Sequence, residues 1–483
     1  MLRRSADSLN PPHEPGVVVK ESRQLFHLAL PLMGAQLAQM GMGVADTIMA
    51  GRYSSADLAG VALGTSILWP SMMLVFGVVQ AVTPTVSQLN GARAYADIGA
   101  IVRQGLWLAL AASLIVIAIL NNVEPVYTLM NVDPIAVAIS VPYLQMCSFG
   151  MPALLCFFCL RFLADGTGYT RPAMYIAITA LLLKIPLNYV LIYGKFGLPE
   201  MGGVGCGVAQ AIVMWFQLIL VLIVVTRKRF DYTGWRSTFS WPDWKIIKSL
   251  LVIGIPIGST MFAEMGLFSF TILLLGQFGA AVVASHNIAM NLNAVFFMPP
   301  MALGMAATIR IGFRVGANEI TGARTTALIA FLATALVAII GAILIYLFKE
   351  VLVSLYTTEQ AVMNLSITLL LFVVFFLFFD ATQSVCIGAL RGYKDTKVPM
   401  WLAILSYWGV GLPTQILFGF GYIGDPMGVY GFWLGLAAGV GTAAILLGAR
   451  LWYVSGNLEL INQLAFQSNR QSVPIPTTGE NQS

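Results

Sequence analysis

FHLALPLMGAQLAQMGMGVADTIM, residues 26–49, is apolar over a length that crosses a bilayer, and Asp46 is its one acid. A span needs roughly 20 predominantly apolar residues. A carboxylate inside a span is costly unless it faces a cavity or meets a partner. Reading outward, eleven more runs of this kind lie near 58–82, 100–120, 139–162, 173–194, 206–226, 249–275, 281–307, 325–347, 364–388, 400–421 and 430–453. Two of them hold the same exception, Glu264 in the seventh and Asp380 in the tenth. The remaining acids fall in loops, at run ends or in the tails. Three acids placed against such a cost point to a protein that moves cations, protons or cationic solutes.

The chain is 483 residues long, 58% hydrophobic and 10% charged. A soluble domain carries about 25% charged residues. With a mean hydropathy of +0.83, the composition indicates an all-α polytopic membrane protein. The net charge of +5 is spread over short loops, so nucleic acid is not an expected partner; membrane lipid is. The polar stretch Met1–Ser22 lacks the apolar core of a signal peptide. The segment after Asn457, rich in Gln, Ser and Thr, reads as disordered. Of five cysteines, Cys156 and Cys159 form a CxxC inside an apolar run, without a second pair, and read as small hydrophobes rather than metal ligands.

Basic residues set the expected orientation. With both termini cytoplasmic, 22 of the 26 Lys and Arg fall on the cytoplasmic side, Arg52, Lys195 and Lys349 fall outside, and Lys184 lies within a span. The two halves repeat. Pro31 and Gly91 have the spacing of Pro256 and Gly316, and Pro172 and Pro186 that of Pro399 and Pro413. Six spans followed by six alike in the same orientation make a parallel repeat about the membrane normal. The expected organisation is a cytoplasmic tail (1–24), a six-helix lobe (25–227), a basic loop (228–248), a second six-helix lobe (249–455) and a disordered tail (456–483).

Seven strings carry a resemblance: GVADTIMAG (43–51), QLNGAR (88–93), KIPLNYVLIYGKFG (184–197), GGVGCG (202–207), MFAEMGLF (261–268), FFDATQ (378–383) and LRGYKDTKVP (390–399). Through them the chain resembles the multidrug and toxic compound extrusion (MATE) transporters, in their bacterial NorM-type branch, from about residue 24 to residue 452. The resemblance implies two pseudo-symmetric six-helix lobes facing each other in a V. It implies an antiporter of the bacterial inner membrane that exports drugs and organic cations in exchange for H⁺ or Na⁺, as a monomer without a cofactor.

It also implies roles for residues. Asp46 matches a coupling-ion or proton site of the N-terminal lobe, and Asn188 an amide lining that lobe. Glu264 and Asp380 match acids tied to cation coupling and organic-cation binding in the C-terminal lobe, where Na⁺ would sit. Asn287 matches a drug-contacting amide. An amide beside a carboxylate suits a hard cation, which seeks several oxygens. Two neighbouring acids let H⁺, Na⁺ and an organic cation compete for one place, which is the core of antiport. Gln36 faces the Asp46 cavity or serves as a helix–helix hydrogen bond. Asn287 and Asn291, at i and i+4, share a face that reaches the acids or bonds a neighbouring helix. Phe376, one turn before Asp380, and Phe268 are placed in the substrate cavity; some relatives carry Tyr at the former, and its absence here favours protons over Na⁺. His286 is assigned to packing.

Lys184 departs from the pattern, since relatives hold a neutral residue there. It lies four residues before Asn188, on the same helical face, and either pairs with Asp46 or snorkels to an interface. The Gly-rich 202–207 string joins two spans without a preceding strand, so it is no dinucleotide loop, and no Walker-type phosphate loop occurs. A flippase for lipid-linked saccharides, the rival reading, would line its path with cations, whereas here three acids face one buried lysine. An integral-membrane enzyme would need clustered His, Asp or Glu near an interface, which the spans lack. The reading is a transporter, not an enzyme.

Overall fold

The structure, a computed structural model, describes residues 15–130 and 132–470. The chain crosses as α1 (Pro15–Tyr53), α2 (Ser55–Gly91), α3 (Tyr95–Asn121), α4 (Pro134–Ser148 with Met151–Gly166), α5 (Arg171–Ile192) and α6 (Gly203–Val225). The second set is α7 (Trp244–Leu275), α8 (Ala280–Gly316), α9 (Ile320–Ser354), α10 (Gln360–Gly392), α11 (Lys397–Gly419) and α12 (Val429–Gly456). With backbone groups bonded inside each helix, every crossing meets the bilayer's demand for internal hydrogen bonding. Eleven of them are long and apolar enough to span, and the α4 pair makes twelve.

The fourth span is broken: its halves meet at 50°, where Pro152 stands in the first turn of the second half without a backbone donor. Two sequence expectations need correction. The first helix starts at Pro15, well inside the stretch read as a polar tail, because Glu21 is buried there against basic partners from α8. After Asn457 the chain is not disordered at once; α13 (Leu458–Arg470) is a helix whose Ile461 is buried in the C-terminal core. That helix is amphipathic, and its polar face gave the segment its tail-like composition. The rest of both tails, 1–14 and 471–483, lies outside the described residues.

The repeat is visible in the backbone itself. Arg93 and Asn318 both have φ near +60° (58° and 60°), each two residues past the end of its helix, α2 and α8. Gly168 and Lys394 do the same after α4 and α10. Beyond α5 and α11 the pairs are Gly194 with Gly421, Gly197 with Gly424, and Gly202 with Gly428. The last two have nearly identical dihedrals (φ 54°, ψ −138° and φ 55°, ψ −135°). Left-handed residues are the usual way to end a helix, and here the same ones end the same helices twice.

The lobes trade pieces. Leu25, Leu28 and Leu32 of α1 belong to the hydrophobic core of the second lobe. Leu250, Ile253 and Ile257, their repeat equivalents on α7, belong to the core of the first. The lobes also touch at the end of the molecule that carries Arg93 and Asn318, called here the basic end. A Cβ on Gly91 would run into the Phe313 carbonyl, and one on Gly316 into the Gln88 carbonyl, a contact related to the first by the repeat. Gln88 Nε2 donates to the Gly392 carbonyl at 2.9 Å, again across the two lobes. Glu21 accepts from Arg310 Nε at 3.0 Å, from Arg310 Nη2 at 2.7 Å and from Thr326 Oγ1 at 3.2 Å, and Arg314 bonds it as well.

Candidate functional site

A cavity of about 310 Å³ lies between the lobes. Methionines from both lobes line it, among them Met42, Met72, Met301 and Met305, so its wall is apolar and adaptable. Gln36, Asp46 and Lys184 line it from the first lobe, and Arg391 from the second. Gln36 lines the cavity, and its Nε2 donates to Met301 Sδ across the lobes at 3.6 Å.

The first polar site is built by α1, α5 and α6. Lys184 and Asn188 are one turn apart on α5, so their side chains project together toward α1. Lys184 Nζ donates to Asp46 Oδ2 at 2.7 Å, and Asn188 Nδ2 donates to Asp46 Oδ1, also at 2.7 Å. The Lys184 ammonium also donates to Gln210 Oε1 of α6. Lys184 is 1% exposed, so it does not snorkel; the ion-pair reading is the one observed. Such a pair repays its desolvation only with good geometry and additional hydrogen bonds, and here both carboxylate oxygens are occupied.

The second polar site lies inside the second lobe, behind the cavity wall. Glu264 of α7 is half-buried and Asp380 of α10 is buried. One amide joins them: Gln383 Nε2 donates to Glu264 Oε1 at 2.9 Å and to Asp380 Oδ1 at 3.1 Å. Tyr407, on a π-helical turn of α11 (Leu405–Gly411), fixes that amide by donating its hydroxyl proton to Gln383 Oε1 at 2.8 Å. Asn293 Nδ2 of α8 reaches Asp380 Oδ2 at 3.5 Å. Among the described residues neither acid has a Lys or Arg partner in an ion pair. Two carboxyl groups within reach of one neutral amide are a place that takes a small cation or a proton.

Other residues singled out in the sequence lie elsewhere. Asn287 and Asn291 share the expected face, but it is exposed and outside the central cavity, with Asn291 Nδ2 donating to the Asn287 carbonyl at 2.8 Å. The α8 amide that meets the acid is Asn293, two residues on and turned to the opposite face. Phe376 is fully buried, with its ring 6.2 Å from Phe268 and 6.1 Å from Trp433. These rings form a core cluster rather than a cavity wall. His286 is buried, 5.5 Å from the Trp433 ring.

Sequence reasoning also passed over Gln383, Tyr407, Asn293 and Gln210. Only Gln383 had a signal, since it lies three residues after Asp380 and therefore on the same helical face. Three charged residues of the cavity lining were missed as well. Arg161 and Asp165, at i and i+4 on α4, approach to 3.4 Å. Arg391 Nη1 donates to Gln80 Oε1 at 3.3 Å.

The MatE family model matches residues 31–190 and 256–417, one match in each lobe. Both matches start at the paired prolines, Pro31 and Pro256. The multidrug resistance protein NorM of Vibrio cholerae is 41% identical over 438 residues, covering 90% of this chain and 96% of that protein. The multidrug resistance protein MdtK of Yersinia pseudotuberculosis is 40% identical over 436 residues, covering 90% and 95%. Among solved structures, the eukaryotic MATE transporter AtDTX14 superposes with a TM-score of 0.86 at 20% identity, over 95% of this chain and all of that one. An outward-facing multidrug resistance MATE family transporter of the MOP superfamily superposes with a TM-score of 0.83 at 19% identity, over 92% and 97%. At such identities the structural likeness speaks for the fold.

Proposed function

This chain belongs to the MatE family, whose members are transporters rather than enzymes, and on that premise we propose that it is a cation-coupled antiporter. It exports lipophilic, often cationic drugs in exchange for H⁺ or Na⁺. The observation that carries this reading is the Glu264–Gln383–Asp380 site: two carboxylates joined by one neutral amide, inside a membrane-spanning lobe. Such a site takes up a cation and gives it back, whereas a permanently paired acid does not. The half-buried Glu264 supplies the entrance and the buried Asp380 the inner ligand. The Met-lined cavity supports soft binding of unlike molecules, and the names of the relatives at about 40% identity agree with drugs as the cargo.

Asp46, held by the buried Asn188 amide, lines the first lobe's side of the path, and Gln36 lines it at its contact with Met301. We place the basic end in the cytoplasm of a bacterial cell, following the distribution of Lys and Arg, with one chain as the transport unit. The test is uptake of a fluorescent lipophilic cation into vesicles reconstituted with the purified protein, without ATP. An imposed Na⁺ or pH gradient is expected to drive it. Uptake that ignores both gradients sinks the antiport reading.

A further inference from the structure

Asp46 and the Glu264–Asp380 pair are all acids inside spans, yet their surroundings differ in one respect that bears on ion coupling. Asp46 has a cation of the protein's own at hydrogen-bonding distance, whereas the Arg391 guanidinium, which acts electrostatically on Glu264, forms no ion pair with it among the described residues. The Lys184 ammonium sits 2.7 Å from one carboxylate oxygen while the Asn188 amide holds the other at 2.7 Å, and Gln210 accepts a further ammonium proton. We propose that Lys184 serves the first lobe as a tethered cation. Its ammonium stands where an exchangeable ion would bind at Asp46, so that ion exchange is confined to Glu264 and Asp380. This rests on the antiport reading above and adds to it a statement about how many ion sites the molecule has.

The physical argument runs through charge and ligand count. Asp46 with Lys184 sums to zero, so a second cation entering the cluster meets no net attraction and a like charge at contact distance. A sodium ion also asks for several oxygens, and those of Asp46 already accept from N–H donors. The cluster is not sealed off, since Asp46, Lys184 and Gln210 all line the cavity; it is accessible to an ion but already occupied. The other titratable groups that interact with the pair are the Tyr143 phenol and Cys147 thiol of α4 and the Cys206 thiol of α6. None of these brings a second acid to the cluster. Asp57, which acts on Cys206, is engaged elsewhere, accepting from the Gly203 backbone at 2.6 Å.

The test reads cation binding through stability, independently of transport. In purified full-length protein carrying Glu264→Gln and Asp380→Asn, the second lobe's acids are silenced. With Lys184 in place, the thermal midpoint in this background is expected not to change when Na⁺ replaces choline at constant ionic strength, and to vary between acid and neutral pH no more than in a control that adds Asp46→Asn with Lys184→Met and keeps the other buried acids, Glu21 and Asp165 among them. Adding Lys184→Met alone frees Asp46, and the midpoint should then rise with Na⁺, or with protons beyond that control, by about 2–4 °C, because a ligand that binds only the folded state stabilises it. Adding Lys184→Arg instead should keep it flat. A cation-dependent midpoint with Lys184 present overturns the proposal, as does a flat one after its removal. If Lys184→Met does not yield folded protein, Lys184→Met with Asp46→Asn must restore folding with a midpoint flat in Na⁺, and failure to do so also overturns it. Gradient-driven uptake by the unmodified protein is measured alongside: its absence counts against antiport and leaves the midpoint result to decide the role of Lys184.

Discussion

The two lobes share a backbone and differ in where they put charge. The repeat that relates Pro31 to Pro256 also relates Asp46 to Thr271, and the one that relates Pro186 to Pro413 relates Asn188 to Gln415. In the first lobe Asn188 bonds a carboxylate. At the equivalent place in the second, Thr271 Oγ1 donates to Gln415 Oε1 at 2.9 Å, a neutral pair. The converse also holds: Glu264 corresponds to Gln39, and Asp380 to Leu154. Each lobe thus carries acid where the other is neutral. The halves share a frame for polar sites and fill it differently, with an ion pair in one and two acids joined by a neutral amide in the other.

This contrast breaks most visibly if the two acids are removed. Glu264→Gln with Asp380→Asn should insert normally and reduce gradient-driven uptake in vesicles to the level of empty ones. Undiminished uptake would show that the lobes do not divide the work in this way.

The ion pair gives the next largest effect. Removing one partner of a buried pair costs about 3–5 kcal/mol, because the other charge is left behind. Asp46→Asn alone strands the Lys184 ammonium and should lower stability by that order, while Asp46→Asn with Lys184→Met should recover most of the loss. A double-mutant cycle on thermal or denaturant unfolding gives the coupling. A coupling energy near zero would remove the distinction between the lobes.

A smaller effect is expected where the lobes meet as equals. A valine at Gly316 would push on the Gln88 carbonyl, and one at Gly91 on the Phe313 carbonyl. Each should disfavour the closed basic end by about 1–3 kcal/mol, the usual cost of overpacking. Labelling of a cysteine introduced at Thr83, on the cavity wall, from the basic side of oriented vesicles should rise in both variants and to similar extents. A rise in only one would mean that the closure is not symmetric.

The smallest effect belongs to the neutral counterpart of Asp46. Thr271→Val removes one buried hydrogen bond and should cost about 0.5–1.5 kcal/mol. Uptake should stay within about twofold of the unmodified protein. A severe transport defect would mean that the second lobe uses this position as well.

Much of this was legible in the chain. The span count, the repeat and the three intramembrane acids follow from hydropathy and from paired prolines and glycines, features that need no knowledge of how a helix is rotated. The Lys184–Asn188 spacing put both side chains on one face, and only the choice of partner stayed open. What was not legible depends on rotation and packing. Asn293 rather than Asn291 meets Asp380, because α8 presents a different face from the one the pair of amides suggested. Tyr407 reaches Gln383 from a π-helical turn that no periodicity foretells. Phe376 packs on Phe268 and on Trp433, since an aromatic ring near an acid in sequence is free to turn into the core. Arg161 and Asp165 lie close together near a span end, where charge is common, and they gave no sign of facing the cavity.

The exchange of α1 and α7 between the cores bears on how the protein is made. Leu25, Leu28 and Leu32 leave the ribosome among the first apolar residues, yet the core that receives them is built from the later part of α7 (Ala263, Leu267, Leu275) and from α8 and the helices after it. Leu250, Ile253 and Ile257, which complete the first core, are synthesised only after α6 is finished. The first half is therefore incomplete when its own last helix is inserted, and the α1 residues wait for the core that receives them; both mature together once the second half has arrived. Translation that stops after α6 leaves a bundle lacking its α7 wall and an α1 half with no core to enter, a product that membrane quality control can recognise by exposed packing surface.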